Sequence, residues 1–463
     1  MADLKQSRTF KLKSVVLVDS KGNTRDITGL CASFTYAEKI TAPFVMASLL
    51  VSDSANLFNS VAFAGGETVQ IRTTDVSGDQ NNEDTTYELR VWKVANRYVK
   101  DKKQHYTLGL ISPEALANEG TRVTIPLKGK AEKIIEDDLI KGSLNSDKDV
   151  FVDPSQFEIN MLPNRRRPFD IANLLTTKAI PAQQNWGQTS ETTGNGDTAT
   201  VTGTAGYFFW ESKRGYNFYS VDSLCSLEDE DREIWGPYIE QQSNQDGANE
   251  QFNILDAKFT SEIDVMTNLR TGKYSTLVVF YNPSTGQYDE YVYKLKDSYS
   301  QMEHLGSGEL DKIPNLEIDL SEYPTRIMSS VLDHETWFSE GTPASPDNAD
   351  GSTKPATFPD WQKYFAAQSM ARFSTLKNQE CTIVIPGNSQ ICAGDRVEIK
   401  LRNKVSSKEA NNEPWDQESS GVYLINEVTH DYDTLRGTSG AFQTTLRLFR
   451  DAYGAPDTAS NHQ

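Results

Sequence analysis

The sequence is poor in the features that announce chemistry. Its 463 residues contain four cysteines, Cys31, Cys225, Cys381 and Cys392, and five histidines. The cysteines are widely scattered, with none of the close pairs used by zinc or redox motifs, so reduced core thiols are expected. Cys381 and Cys392 could face each other across a hairpin, although a disulfide there would need an oxidising compartment. No stretch approaches the roughly 20 apolar residues of a membrane-spanning helix, which predicts a soluble chain with no membrane partner. MADLKQSRTF has no apolar core behind its charges, which argues against a cleavable secretory signal. Basic blocks are also missing: the net charge is −19 and RRR at 165–167 is isolated, so sequence-specific nucleic-acid binding is not expected.

Motifs for catalysis are equally scarce. There is no HExxH, GxSxG, Walker loop or dinucleotide fingerprint. His105 and His430 fall in predicted strands, where packing explains them; His304, His334 and His462 stand in no ligand pattern, and DHE at 333–335 lacks the spacing that places two ligands on one helical face. LEDEDREIWG offers Glu228, Asp229 and Glu230 as candidate acids for sugar hydrolysis, but adjacent acids usually face water, whereas hydrolysis needs two carboxyls held across a cleft. No enzyme activity, catalytic residue, metal site or cofactor is therefore assigned.

What the chain does have is strands. Residues 8–113 predict six of them, including PFVMASLLVSD, apolar on both faces, and the long YELRVWKVANRYV; together they suggest an antiparallel barrel or sandwich. The part from 114 to 250 is mixed: KAEKIIEDDLIKG and RPFDIANLLTTKAI predict helices, GYFFWES and YNFYSVDS aromatic strands, and TSETTGNGDTATVTGTAG a loop. Strand patterning returns at about 251, with a short helix around SEIDVMTNLRTG and a hairpin in STLVVFYNPSTGQYDEYVYKL. A disorder-like stretch, SEGTPASPDNADGSTKP, lies within 299–360. The helix WQKYFAAQSMARFSTL follows, then QECTIVIPGNSQICAGDRVEIKL, read as a hairpin, and two closing strands in GVYLINEVTHDYD and AFQTTLRLFRDAYG. No exact repeat is visible; if the two ends are duplicates, only the order of their elements says so. The domains expected are 1–113, 114–250, a discontinuous 251–298 with 361–452, an insertion at 299–360 and a tail at 453–463.

That order of parts resembles the central hub protein of contractile bacteriophage baseplates, and is similar to the N-terminal hub region of type VI secretion VgrG proteins. FTYAEKITAPFVMASLLVSDSANLFNSVAFAGGETVQI, NLRTGKYSTLVVFYNPSTGQY, and AAQSMARFSTLKNQECTIVIPGNSQICAGDRVEIKL through VYLINEVTHDYD carry the likeness. The resemblance implies a mainly β fold with α+β insertions: two tail-tube-like antiparallel β-barrel domains, 1–113 and 251–298 with 361–452, plus mixed α/β middle parts. It implies a homotrimer whose six such domains form a pseudo-hexameric ring, with tail-tube protein above, a separate spike protein below, and tape-measure and baseplate wedge proteins as further partners. DNA or an effector would pass through the channel, repelled by an acidic wall rather than bound. Such a protein belongs to the virion tail baseplate and is assembled in the host cytoplasm. Since DAYGAPDTASNHQ is followed by no further barrel or β-helix, the needle would be a separate chain. Long alternating strands such as YELRVWKVANRYV suit pairing with a neighbouring subunit, because a paired edge hides backbone donors that otherwise invite aggregation. Interface residues stay unassigned, since a one-residue slip in register inverts every side chain. Two other functions fit the same composition: a carbohydrate-binding tail or surface protein, and a cell-wall glycoside hydrolase.

Overall fold

Thirteen strands of the chain join into one sheet. The computed structural model describes residues 10–75, 84–100, 103–156, 158–182, 205–227, 232–240, 252–261, 264–283, 286–299, 302–306, 323–331, 358–404, 414–434 and 441–452.

The opening part supplies seven strands: β1 (Phe10–Val18), β2 (Thr24–Asp26), β3 (Cys31–Lys39), β4 (Met46–Asp53), β5 (Thr68–Asp75), β6 (Asp84–Lys100) and β7 (Lys103–Ile111). They lie in the order β2-β1-β5-β6-β7-β4-β3, all antiparallel. Alternation along each strand sends one set of side chains into a core of Val15, Leu17, Phe34, Leu49, Val69, Leu89 and Leu108, with their neighbours on the same faces.

The middle part holds β8 (Leu127–Lys130) with β10 (Glu158–Met161), and β9 (Val150–Val152) with the aromatic hairpin β11 (Tyr207–Ser212) and β12 (Gly215–Ser220). The two predicted helices are present. Pro168–Thr176 is α-helical with Pro168 in its first turn, while Ala131–Lys133 widens into a π-helical segment over Ile134–Ser143. Ile134, Ile135, Leu139, Ile171 and Leu175 from these helices pack with Tyr207, Phe209, Tyr216 and Phe218. The aromatic strands thus fill a core, and these rings are not a sugar-binding surface.

The last part gives β13 (Ile234–Ile239), β14 (Asp256–Ser261), β15 (Ser275–Asn282), β16 (Gln287–Lys294), β17 (Arg326–Val331), β18 (Gln379–Pro386), β19 (Arg396–Lys400), β20 (Gly421–Asp433) and β21 (Ala441–Arg450). The sequence groups β15 and β16 with the closing strands; they instead pair with β17 in a separate three-stranded sheet, packed on the helix Phe358–Leu376 through Ala367 and Ala371. The sequence also reads β18 and β19 as a hairpin. This is corrected: β18 pairs with β14 and β21, β19 with β13 and β20, so two strands separate them. The connection 387–395 is too long for a two-residue hairpin turn, and Gly394, at φ +89°, directs β19 onto β20 instead. Cys381 and Cys392 are consequently not cross-strand partners; all four cysteines are buried and unbridged. Burial pushes the Cys31 and Cys381 thiols up to about 12.

Candidate assembly interface

Spatial order exposes a duplication. In the opening unit the strands run β1-β5-β6-β7-β4-β3, and in the closing unit β13-β19-β20-β21-β18-β14. Ranked along the chain, these are the same six strands in the same places, and only β13 differs, lying parallel to β19 where β1 is antiparallel to β5. The middle part enters between the units, and residues 262–378 enter between β14 and β18, where the opening unit has only residues 40–45.

The duplication extends to single bonds. The Gly66 N–H donates to the Val91 carbonyl at 2.7 Å and the Val91 N–H to the Glu67 carbonyl at 2.8 Å; Gly394, Ile425 and Asp395 make the same pair of bonds, each at 2.9 Å. Both glycines have left-handed backbones, φ +87° and +89°. In each turn the acid following the glycine folds back: a Glu67 oxygen accepts from the Ala64 N–H at 2.7 Å, an Asp395 oxygen from the Cys392 N–H at 3.0 Å. GETVQI at 66–71 and GDRVEI at 394–399 are therefore one motif used twice. A bulge follows in both strands, at Trp92 and at Asn426.

The two glycines sit in unlike surroundings, which gives a paired expectation. A Cβ on Gly394 would lie 2.3 Å from the buried Trp210 ring, whereas one on Gly66 meets nothing within 4 Å. Gly66→Ala should cost about 1–2 kcal/mol, the left-handed backbone penalty alone. Gly394→Ala adds overpacking of about 1–3 kcal/mol, so its denaturation midpoint should fall well below that of Gly66→Ala.

The units are joined edge to edge within the chain. β20 turns at its bulge, leaves β19, and over Glu427–Asp433 pairs antiparallel with β3, setting Asp433 opposite Ser33, Tyr432 opposite Phe34 and Asp431 opposite Thr35. The Thr35 hydroxyl donates to Asp431 at 2.9 Å. On the core side Tyr432 stacks at 5.6 Å on Phe34 and meets Phe10 edge-on at 4.9 Å, so a ring from the closing unit completes the core of the opening one. Glu38, buried at the end of this seam, accepts from the N–H groups of Ala393 and Lys213 at 2.9 and 2.5 Å and from the Tyr36 hydroxyl. Burial raises its pKa against those bonds.

His430, opposite Tyr36 in the seam, is buried and bonded to the Thr444 hydroxyl at 3.1 Å. Burial, aided by the Lys213 charge, pushes its pKa down to about 3. The unfolded chain takes up this proton near pH 6.5 and the folded one only near 3. The contribution is therefore complete above about 6.5 and is lost as pH falls through this window, at up to about 1.4 kcal/mol per pH unit. Denaturation of His430→Phe across pH 3–7 should show a correspondingly flatter dependence than the native chain.

The matching edges elsewhere are uncovered. β6 pairs with β5 only as far as Arg90, and beyond it with β7 alone; Trp92, Lys93 and Asn96–Lys100 are exposed, Val99 to 69 %. β14 pairs with β18 on one side, and among the described residues no strand lies on its other edge.

Of the residues weighed for chemistry, His105 stacks on Tyr98 at 4.9 Å and His304 bonds Asp451 at 2.7 Å; both are structural contacts. Among the described residues no three acids, histidines or cysteines are grouped to hold a metal. Glu228, Asp229, Glu230, His334 and His462 lie outside the described residues. The signal that could have located the interface was the GETVQI and GDRVEI pair.

No family model and no curated protein matches the sequence. Solved structures do. A tail protein from Neisseria meningitidis MC58 matches at 10 % identity over 96 % of this chain and 97 % of its own, with a TM-score of 0.46. The 43 kDa tail protein of prophage MuSo2 from Shewanella oneidensis matches at 10 % identity over 95 % of this chain and all of its own, TM-score 0.46. A chain of the phage P2 baseplate in its activated conformation matches at 10 % identity over 96 % and 99 %, TM-score 0.30. These three similar structures are tail and baseplate proteins, and others that match are VgrG complexes and a type VI secretion component.

Proposed function

We propose that the chain is the structural hub of a phage-tail or related contractile-injection baseplate. Three copies form a closed ring of six like β units that joins the tail tube to the central spike and encloses the channel for DNA or an effector. The observation that carries this is the seam: one polypeptide contains two copies of a six-strand unit, already joined side by side through β3 and β20. A contact between like units that is not two-fold leaves a complementary edge at each end, and repetition closes a ring or extends a filament. Doubling the unit within a chain gives a threefold body the outline of a six-membered one, which suits it to bridge a six-subunit tube above and a three-chain spike below. Its role is mechanical, with no catalytic residue, and the spike, tail-tube, tape-measure and wedge proteins are its partners.

Native mass measurement of the purified protein, alone and with the spike protein of its own system, tests this. Three chains per particle, with spike bound at one end, are expected. A particle that stays a single chain at high protein concentration, with or without spike, would overturn the ring.

A further inference from the structure

From the internal seam we infer the contact between chains, residue by residue: β14 of one copy pairs antiparallel with the outer half of β6 of the next, Asp256 facing Lys100, Ala257 facing Val99 and Lys258 facing Tyr98. The inference rests on the ring proposed above and adds the surface that closes it.

Since Val91 and Ile425 occupy one position, and face Leu110 and Leu448 on the next strand, β7 and β21 align with Gln104 on Phe442. Across that strand Tyr98, Val99 and Lys100 face His105, Gln104 and Lys103, as Asp431, Tyr432 and Asp433 face Gln443, Phe442 and Ala441. The end of β6 is thus the counterpart of the part of β20 that meets β3. On the other edge, Phe34 faces Leu49, which faces Leu108, and Ala257 faces Ile383, which faces Leu446. This makes Ser33, Phe34 and Thr35 the counterparts of Asp256, Ala257 and Lys258. Transferring the seam pairs Ser33–Asp433, Phe34–Tyr432 and Thr35–Asp431 gives the three pairs stated.

Three observations fit this occupant. First, the counterpart residues of β20 are buried or half-buried by β3, whereas Asn96–Lys100 of β6, which include a second bulge between Ala95 and Tyr98 that β20 lacks, are exposed, an edge left uncovered. Second, the transferred register sets an acid, Asp256, against a base, Lys100, a favourable cross-strand pair. Third, Ala257 and Phe259 of β14 are half-buried against the closing unit's core, so Val99 of the neighbour would lengthen that core as Tyr432 lengthens the opening one.

The seam also fixes which pairs can be bridged. The Thr434 N–H bonds the Ala32 carbonyl and the Ile40 N–H the Asn426 carbonyl, so by alternation Thr35–Asp431 and Ser33–Asp433 are non-hydrogen-bonded pairs. Their Cα atoms are about 4.5 Å apart in such a ladder, within disulfide reach. The counterparts Tyr98 with Lys258, and Lys100 with Asp256, inherit that geometry. The same alternation turns the Val99 N–H away from β7 toward the neighbour, so a proline there leaves the β6–β7 ladder intact.

The test is a pair of double variants, Tyr98→Cys with Lys258→Cys and Lys100→Cys with Asp256→Cys, oxidised and run without reductant. All four positions are exposed or half-buried at the surface, and the native cysteines are buried. Crosslinked species up to three chains in both, none in the single variants and none in the off-register pair Lys93→Cys with Asp256→Cys, is expected. Val99→Pro should reduce the particle to single chains with an unchanged denaturation midpoint of the chain itself. Three-chain particles with no crosslink above the off-register control, or a Val99→Pro particle still of three chains, would overturn the pairing and leave the ring standing; a native protein of single chains would overturn both.

Discussion

Tyr432→Ala is expected to destabilise the chain by about 3–5 kcal/mol and to separate its two β units. The ring belongs by sequence to β20 of the closing unit and by packing to the core of the opening one. There it stacks on Phe442 at 4.3 Å, contacts Phe34 and Phe10, and shares a hydrogen bond of 3.0 Å with the Tyr87 hydroxyl. Truncation leaves a large cavity where the units meet, and buried aromatic-to-alanine changes cost this much. Tyr432→Phe keeps the volume and removes the hydroxyl pair, so about 1 kcal/mol is expected. In denaturation followed by both fluorescence and limited proteolysis, the native chain should lose both units together, and Tyr432→Ala should lose them in two steps. Loss of the seam should also abolish assembly, since the orientation of the units sets where the next chain docks.

Arg372→Met should cost a comparable 3–5 kcal/mol, through electrostatics instead of volume. Arg372 is fully buried on the helix Phe358–Leu376 and donates to Asp222 at 3.0 Å, to Asp451 at 3.2 Å and to the Glu303 carbonyl. It therefore ties the insertion to the middle part and to the end of β21. Burial alone would raise the pKa of Asp451, but the His304 bond and the Arg372 charge outweigh it and hold the group at about 2; Asp222, where burial dominates, sits at about 6. Removing the arginine takes the compensating charge from two buried carboxylates, and breaking such a pair costs more than the pair contributes. Adding Asp451→Asn to Arg372→Met should recover part of the loss, as measured by denaturation at neutral pH. A double variant no better than the single one would mean that packing, not charge, sets the cost.

Much of this architecture was legible in the residues, and the limits are physical. Alternation found the strands of the opening unit, because one-sided burial imposes period two on PFVMASLLVSD's neighbours and on YELRVWKVANRYV. RPFDIANLLTTKAI marked its helix, which opens on Pro168. Pairing was the harder problem. QECTIVIPGNSQICAGDRVEIKL looks like a hairpin because strand signals are local, whereas β18 and β19 find their partners in β14, β21, β13 and β20. The duplication hid for a related reason: between GETVQI and GDRVEI only a glycine, a valine and an isoleucine are identical. What the two copies share is a left-handed turn and a folded-back carboxylate, and these become recognisable once hydrogen bonds are in view. Trp92, at the bulge that matches Asn426, gave no sign of its position in the sequence.

The most direct measurement is electron cryomicroscopy of the assembled particle. Six like β units around a bore are expected, joined alternately by β3 on β20 within a chain and by β14 on β6 between chains. Assemblies held by other surfaces, with Tyr98, Val99 and Lys100 still facing solvent, would contradict the idea that the chain's own junction is the one it repeats.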